Sequence, residues 1–220
     1  MIITIDGPAG SGKSTVAREL AKALGIAFLD TGATYRAATL KAMREGVNLQ
    51  DAAALTTMAR AAKIEVIPQE SISRVMLDGQ DVTDDIRSHA VTENAHFIAD
   101  SPPVREVLVA LQRQLGAALG SFVAEGRDQG SVVFPQADFK FYLDASPAVR
   151  AQRRHRELYA AGETVELDDV LRSIEQRDRR DSTRPVAPLI QPPGAIVIDT
   201  SEMNIDQVTA KLLACLEVRR

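Results

Sequence analysis

The feature that most narrows the folds open to this chain is a run near its start, Gly7-Pro8-Ala9-Gly10-Ser11-Gly12-Lys13-Ser14-Thr15. Gly7, Gly12, Lys13 and Ser14 meet the spacing G-x-x-x-x-G-K-[ST]. An apolar, β-branched segment (residues 2–6) precedes the run, and a segment of helical periodicity (16–24) follows and stops at Gly25. That order predicts strand, tight loop and helix in direct succession. In such a loop the glycines let backbone N–H groups turn inward around phosphate, and the helix N-terminus adds a favourable field. Lys13 is expected to meet the terminal phosphates, and the Ser14 hydroxyl a Mg2+ ion. A chance glycine-rich turn would lack the flanking strand and helix.

The rest of the chain alternates short apolar runs with helical periodicity. Ile26-Ala27-Phe28-Leu29 ends in Asp30-Thr31-Gly32, and a helix carrying Tyr35, Leu40 and Met43 is predicted next. Further buried strands are predicted at 121–124, 140–143 and 195–198, with helices over 147–160, 168–180 and 204–218. This alternation predicts a layered α/β fold. The middle of the chain departs from it. Residues 63–67 and 74–77 alternate in period two, and Asp78-Gly79 is a hairpin-turn signal, so a small antiparallel insert is predicted from about residue 63. Pro102-Pro103 then opens a helix reaching Leu119.

Composition excludes several function classes. The chain is 45% apolar and 25% charged over 220 residues, enough for one sizeable core, and a single domain over 1–220 is expected. A net charge of -4 argues against a broad duplex-binding surface. Only 4% of residues are aromatic and none is Trp, which argues against a stacking platform for single strands. We expect no nucleic-acid partner. Cys215 stands alone, so no internal disulfide can form, and no Cys/His group has metal-ligand spacing. His89, His96 and His155 share no spacing with carboxylates, and surface or structural roles are their default. No window approaches the roughly 18 apolar residues that span a bilayer. The start lacks a basic, apolar leader, so a cytoplasmic location and no membrane partner are expected. Neither a D-x-x-G switch nor an N-K-x-D guanine reader is present, which argues against a switch GTPase. Downstream arginines instead suit a second phosphorylated substrate, because a guanidinium presents a planar fork to phosphate oxygens.

Three further motifs stand behind the loop: Asp30-Thr31-Gly32-Ala33-Thr34-Tyr35-Arg36, Glu125-Gly126-Arg127-Asp128-Gln129-Gly130, and the run from Arg177 through Asp181 and Arg184 to Pro188. In this order, and over essentially the whole chain, they resemble the bacterial cytidylate kinase family. The resemblance implies transfer of the γ-phosphate of ATP to CMP or dCMP with Mg2+, by a monomer. It implies a P-loop kinase three-layer α/β fold with a five-stranded parallel sheet. A monophosphate-binding lobe would span 31–120, with its antiparallel insert at about 63–100, and a helical lid would span 147–167.

Carried over residue by residue, the resemblance implies that Gly7 through Thr15 bind ATP and that Lys13, Arg127, Arg153 and Arg154 act in catalysis. Thr31, Tyr35 and Arg36 match the start of the monophosphate-binding helix, with Arg36 on the CMP phosphate and Arg127 as a second phosphate arginine. Arg105 and Asp128 match readers of the cytosine edge; Arg177 and Asp181 match ribose contacts, and Arg184 supports the same pocket. Arg153 and Arg154, in the Arg-rich helix 150–156, would reach the transferring phosphate. Ser14 would ligate Mg2+, with Glu125 orienting the metal shell through water. A carboxylate at 128 also suits cytosine chemically, because it accepts from the exocyclic amino group where uracil offers an oxygen.

Three positions depart from the family pattern. Glu125 stands where the family has Asp, His96 where it offers a serine hydroxyl to the base, and Gln129 replaces an apolar neighbour, which reads as a packing variation. Plainer roles stay open beside the functional ones. Asp30 is also a good helix N-cap, Tyr35 a core residue, Arg153 with Arg156 a solvated helix face, and Asp181 with Arg184 an i,i+3 surface pair. The competing activities are another small-substrate P-loop kinase, acting on a different nucleotide or a coenzyme precursor, and a non-catalytic nucleotide sensor or nucleic-acid ATPase. The G-R-D and R-D-x-x-D-x-x-R arrangements oppose the first; the acidic net charge and intact Lys13-Ser14 oppose the second.

Overall fold

A computed structural model describes residues 1–69 and 72–218. The strand before the phosphate loop, β1 (Ile2–Asp6), is the centre of a five-stranded parallel sheet. Its order is β2 (Ala27–Asp30), β6 (Phe122–Gly126), β1, β7 (Phe139–Asp144) and β8 (Ile196–Asp199). Parallel strands covered on both faces read as continuous apolar runs, which is why these segments show little polar alternation. Successive side chains still point to opposite faces, so Val123 enters one core while Phe122 and Ala124 enter the other.

Two helical layers cover the sheet. On one face α1 (Lys13–Leu24) and α8 (Ile205–Glu217) bury Val16, Leu20, Val208 and Leu212 against Ile3, Ile5 and Val123. On the other, α2 (Thr31–Arg44) and α5 (Pro102–Leu119) bury Ala37 and Leu108 against Leu29, Phe122 and Ala124. The result is the three-layer fold expected from the sequence.

The insert differs from expectation at its far end. Strands β3 (Ile64–Ile67), β4 (Arg74–Leu77) and β5 (Gln80–Asp81) form an antiparallel sheet. Its tight turn places Asp78 (φ 51°) and Gly79 (φ 83°) both in the left-handed region, as a type I′ hairpin demands. The antiparallel part ends at Asp81 rather than continuing to about residue 100. A 3-10 turn (Asp85–Arg87) and α4 (His89–Ala99) follow, because Val91 and Ile98 recur two helical turns apart and bury one helix face. Helix α3 (Ala52–Ala61) has no counterpart in the expected elements. Asp51 caps it by accepting from the N–H groups of Ala53 and Ala54, each at 3.0 Å, and Leu55, Met58 and Ala59 bury one stripe.

Helices α6 (Pro147–Ala160) and α7 (Leu167–Thr183) pack on each other over a thin core of Ala151, Val170 and Ile174. No described helix is long and apolar enough to cross a membrane.

Candidate active site

All the loops that matter leave the carboxyl ends of the parallel strands, where ligands bind in open α/β sheets. The phosphate loop follows β1, Thr31 opens α2 directly after β2, and Arg127-Asp128 follow β6. Gly7 passes so close to β7 that a Cβ on it would run into the Leu143 carbonyl oxygen, and its φ of 148° also excludes ordinary side chains. Within the loop the Ser11 hydroxyl donates to the Pro8 carbonyl at 3.1 Å, and Lys13 Nζ donates to the same carbonyl at 2.6 Å. Lys13 is 5% exposed. Burial, with Arg127 next, lowers its pKa to about 7.

The loop is braced from outside by a residue the sequence reading left without a role. Arg150 on α6 is buried; its Nε donates to the Ala145 carbonyl at 2.8 Å and its Nη1 to the Ala9 carbonyl at 3.1 Å, and its Nη2 pairs with Asp178 on α7 at 2.6 Å. Thr200, after β8, sets its hydroxyl 3.2 Å from the Ser11 carbonyl.

Ser14 and Glu125, expected to serve a metal, lie within hydrogen-bonding reach of each other. The Ser14 hydroxyl donates to Glu125 Oε1 at 2.8 Å. Thr31, expected at the start of the monophosphate-binding helix, uses its hydroxyl inside the fold. It is buried and donates to the Glu125 backbone carbonyl at 2.7 Å, pinning the start of α2 to the end of β6.

On the acceptor side Arg105 of α5 reaches back to Asp128, and the two form a buried ion pair. The Arg105 guanidinium lies 5.3 Å from the Tyr35 ring centre, a cation–π distance. The Tyr35 hydroxyl is sealed from solvent with no partner, and burial followed by the Asp128 charge pushes its pKa up to about 12. Arg184 is buried beside them and donates from Nε to the Ala187 carbonyl at 2.5 Å, while its Nη2 has no partner. Arg127 pairs through Nε with Asp181 at 3.0 Å. Burial pushes the Asp181 carboxyl up, but Arg127 and Arg177 overcome it and hold the group below its usual range. Arg177 is solvent-accessible yet crowded by the cleft; desolvation, then Arg127, lowers its pKa to about 10, so it stays charged at neutral pH. Arg36 pairs with Asp30 at 2.8 Å.

Several expected roles look different in three dimensions. Asp30 does cap α2, accepting from Ala33 N–H at 3.0 Å, and holds Arg36 at the same time. Asp181 is bonded to Arg127 across 54 positions, not to Arg184 in an i,i+3 surface pair, because both side chains turn into the cleft. Arg153 is drawn to the segment after β8, donating to the Thr200 carbonyl at 2.6 Å and the Thr200 hydroxyl at 3.1 Å. Arg154 is half exposed and pairs with Glu157 at 3.1 Å. His96 places Nδ1 2.7 Å from its own helix's Glu93 carbonyl, with its ring against Phe97. Gln129 is buried, consistent with packing.

Asp6 was missed altogether. It is fully buried at the end of β1 and accepts from the Gln129 and Gly130 N–H groups. The available signal was an acid closing an otherwise apolar central strand.

Fold and loop together define a P-loop phosphotransferase. A solved shikimate kinase from Bacteroides thetaiotaomicron matches the fold with a TM-score of 0.50 at 14% identity, over 99% of this chain and 98% of that one. The cytidylate kinase family model matches residues 3–218. A cytidylate kinase of Pelotomaculum thermopropionicum is 46% identical over 219 residues, covering 99% of this chain and 96% of the relative. One of Exiguobacterium sibiricum is 46% identical over 215 residues, covering 98% and 96%. This chain belongs to the cytidylate kinase family.

Proposed function

We propose that the chain transfers the γ-phosphate of ATP to CMP or dCMP, giving ADP and CDP or dCDP. The observation that carries the choice of acceptor is the buried Arg105–Asp128 pair beside Tyr35. Cytosine offers a donor at N4 next to acceptors at N3 and O2. Asp128 Oδ2 takes Arg105, leaving Oδ1 to accept from N4, while Arg105 supplies donors to the neighbouring acceptors. Uracil would set an oxygen and an N–H against the same groups and leave Asp128 Oδ1 facing an oxygen without a donor.

Arg36 and Arg127 would supply positive charge for the acceptor phosphate, and Arg177 and Asp181 would contact the ribose. Lys13, freed from the Pro8 carbonyl, would meet the β- and γ-phosphates, so that most of the acceleration comes from placement and charge stabilisation. Ser14 and Glu125 fit Mg2+ in the chemistry of their donors, a hydroxyl and a carboxylate oxygen 2.8 Å apart; Ser14 would ligate the ion and Glu125 would orient its shell through water. Mg2+ held there would neutralise charge on the donor phosphates.

Residues 31–120 act in this reading as the monophosphate-binding lobe and 147–167 as the lid. The thin core under α6 and α7 supports a lid, since segments with few buried apolar contacts open at low cost. The same reading takes the chain to act as a monomer in the cytoplasm.

The test is ADP release with ATP, Mg2+ and CMP, dCMP, UMP or AMP as acceptor. CMP and dCMP are expected to be the best acceptors; equal rates with UMP or AMP would overturn the reading.

A further inference from the structure

Asp6 closes β1 and is bonded covalently to Gly7, the first glycine of the phosphate loop. Its two oxygens serve different donors: Oδ1 accepts from Gln129 N–H at 2.8 Å and Oδ2 from Gly130 N–H at 2.7 Å. Those groups open the π-helical turn Gln129–Val133, which follows Arg127 and Asp128 without a break. The first N–H groups of a helical turn have no partner within it, and a carboxylate satisfies them with a favourable field. The arrangement is a fixed joint between neighbouring strands β1 and β6, register-matched at Asp6 and Gly126. One side of it carries the donor loop, the other the two residues that face the acceptor.

A charge at this position is costly. Burial pushes the Asp6 pKa up to about 6 against the two N–H bonds. Three titratable groups face it: Asp128 from the turn opposes ionisation, Lys13 from the head of α1 favours it, and the Tyr142 phenol stands on neighbouring β7. An apolar residue would serve a central strand better. The cost is understandable if the position of the turn matters more than the stability lost.

We propose that Asp6 is a positioning residue for phosphoryl transfer, holding Arg127 and Asp128 in register with the phosphate loop so that acceptor and donor meet in line. The proposal rests on the CMP kinase reading above.

The experiment compares kcat and KM for CMP and for ATP in the wild type, in Asp6→Asn, and in Ile5→Val, which loosens the same strand without touching the turn. Asp6→Asn keeps the shape but sets an amide N–H against a backbone donor. Its kcat/KM for CMP is expected to fall by on the order of tenfold or more, the effect of one charge-assisted bond, with KM for ATP nearly unchanged. Ile5→Val is expected to lower the melting temperature and leave the CMP-to-ATP balance alone. Unchanged kcat and KM for CMP, a rise in KM for ATP as large as that for CMP, or the same pattern in Ile5→Val, would overturn the proposal. Absence of CMP turnover in the wild type would instead overturn the reading of function. If Asp6→Asn does not fold, amide NMR of the wild type decides the matter. The Gln129 and Gly130 signals should titrate with a midpoint near pH 6, and Arg127 and Asp128 should move with the same midpoint. Titration confined to Gln129 and Gly130 would reject the positioning role.

Discussion

The Arg105 guanidinium and the Asp128 carboxylate pair almost wholly out of water, their side chains 3% and 4% exposed, although 23 positions separate them. Two charges in such a place are stable only together. Removing one partner leaves the other unpaired, at a cost of about 3–5 kcal/mol, whereas an apolar pair of similar volume is often neutral. Urea unfolding of Arg105→Met, Asp128→Leu and the double variant should therefore show large single losses and substantial recovery in the double. None of the three is expected to phosphorylate CMP well. A double variant as unstable as the sum of the singles would mean the pair is not coupled.

Lys13 gives a prediction of opposite sign for stability and activity. Its pKa falls from an ordinary lysine value to about 7 in the fold. For a base with a lowered folded pKa, the associated stability is present above the unfolded pKa and is lost as pH falls through the folded one. In the protein without nucleotide, stability should thus decline as pH drops from the ordinary lysine value of 10.5 toward about 7, and level off below. Lys13→Met should flatten that decline and raise the melting temperature at pH 7, each 1 kcal/mol being worth about 2–4 °C in a chain of this size. Turnover should be lost in the same variant. A melting temperature lower than wild type would show that Lys13 stabilises the loop.

ATP binding should also be linked to protons. Phosphate oxygens around Lys13 favour its charged form, so binding at pH 8 should take up protons, and less so at pH 6. Calorimetry in buffers of different ionisation enthalpy measures the uptake directly. Uptake unchanged between those pH values would assign it to another group.

Glu125 should set the metal dependence. With its carboxylate against Ser14, Glu125→Gln removes the charge while keeping the length. The Mg2+ concentration for half-maximal rate is expected to rise by about 10–100-fold, typical of lost support at a metal site. A lower rate at every Mg2+ concentration with no shift in half-saturation would place Glu125 outside the metal's shell.

Much of this protein is legible in its sequence because the informative signals are local. The β1–loop–α1 unit follows from apolar run, glycines and helical period within residues 2–25, and the Asp78-Gly79 turn from two adjacent residues. Helix α3 was equally local, with Asp51 as cap and Leu55, Met58 and Ala59 as stripe, but its alanine-rich face gives a weak pattern. The antiparallel insert was drawn too long because apolar spacing over 89–99 is helical, and period two does not continue past Asp81. Site partners that meet across the chain were not legible. An Arg-rich helix does not reveal that Arg150 braces Ala9 and Ala145 while Arg153 turns to Thr200. Neither does the sequence tell that Asp6 bonds to Gln129 and Gly130, more than 120 positions away.

The central claim, that Asp128 and Arg105 read cytosine, is tested most directly by kcat/KM for CMP and UMP in the wild type and in Asp128→Asn, with ATP affinity measured alongside. The account expects a strong CMP preference in the wild type that collapses in the variant by on the order of 10- to 100-fold, one to two mismatched polar contacts, while ATP binding holds. Equal losses on CMP and UMP, with the wild-type preference intact in the variant, would contradict it.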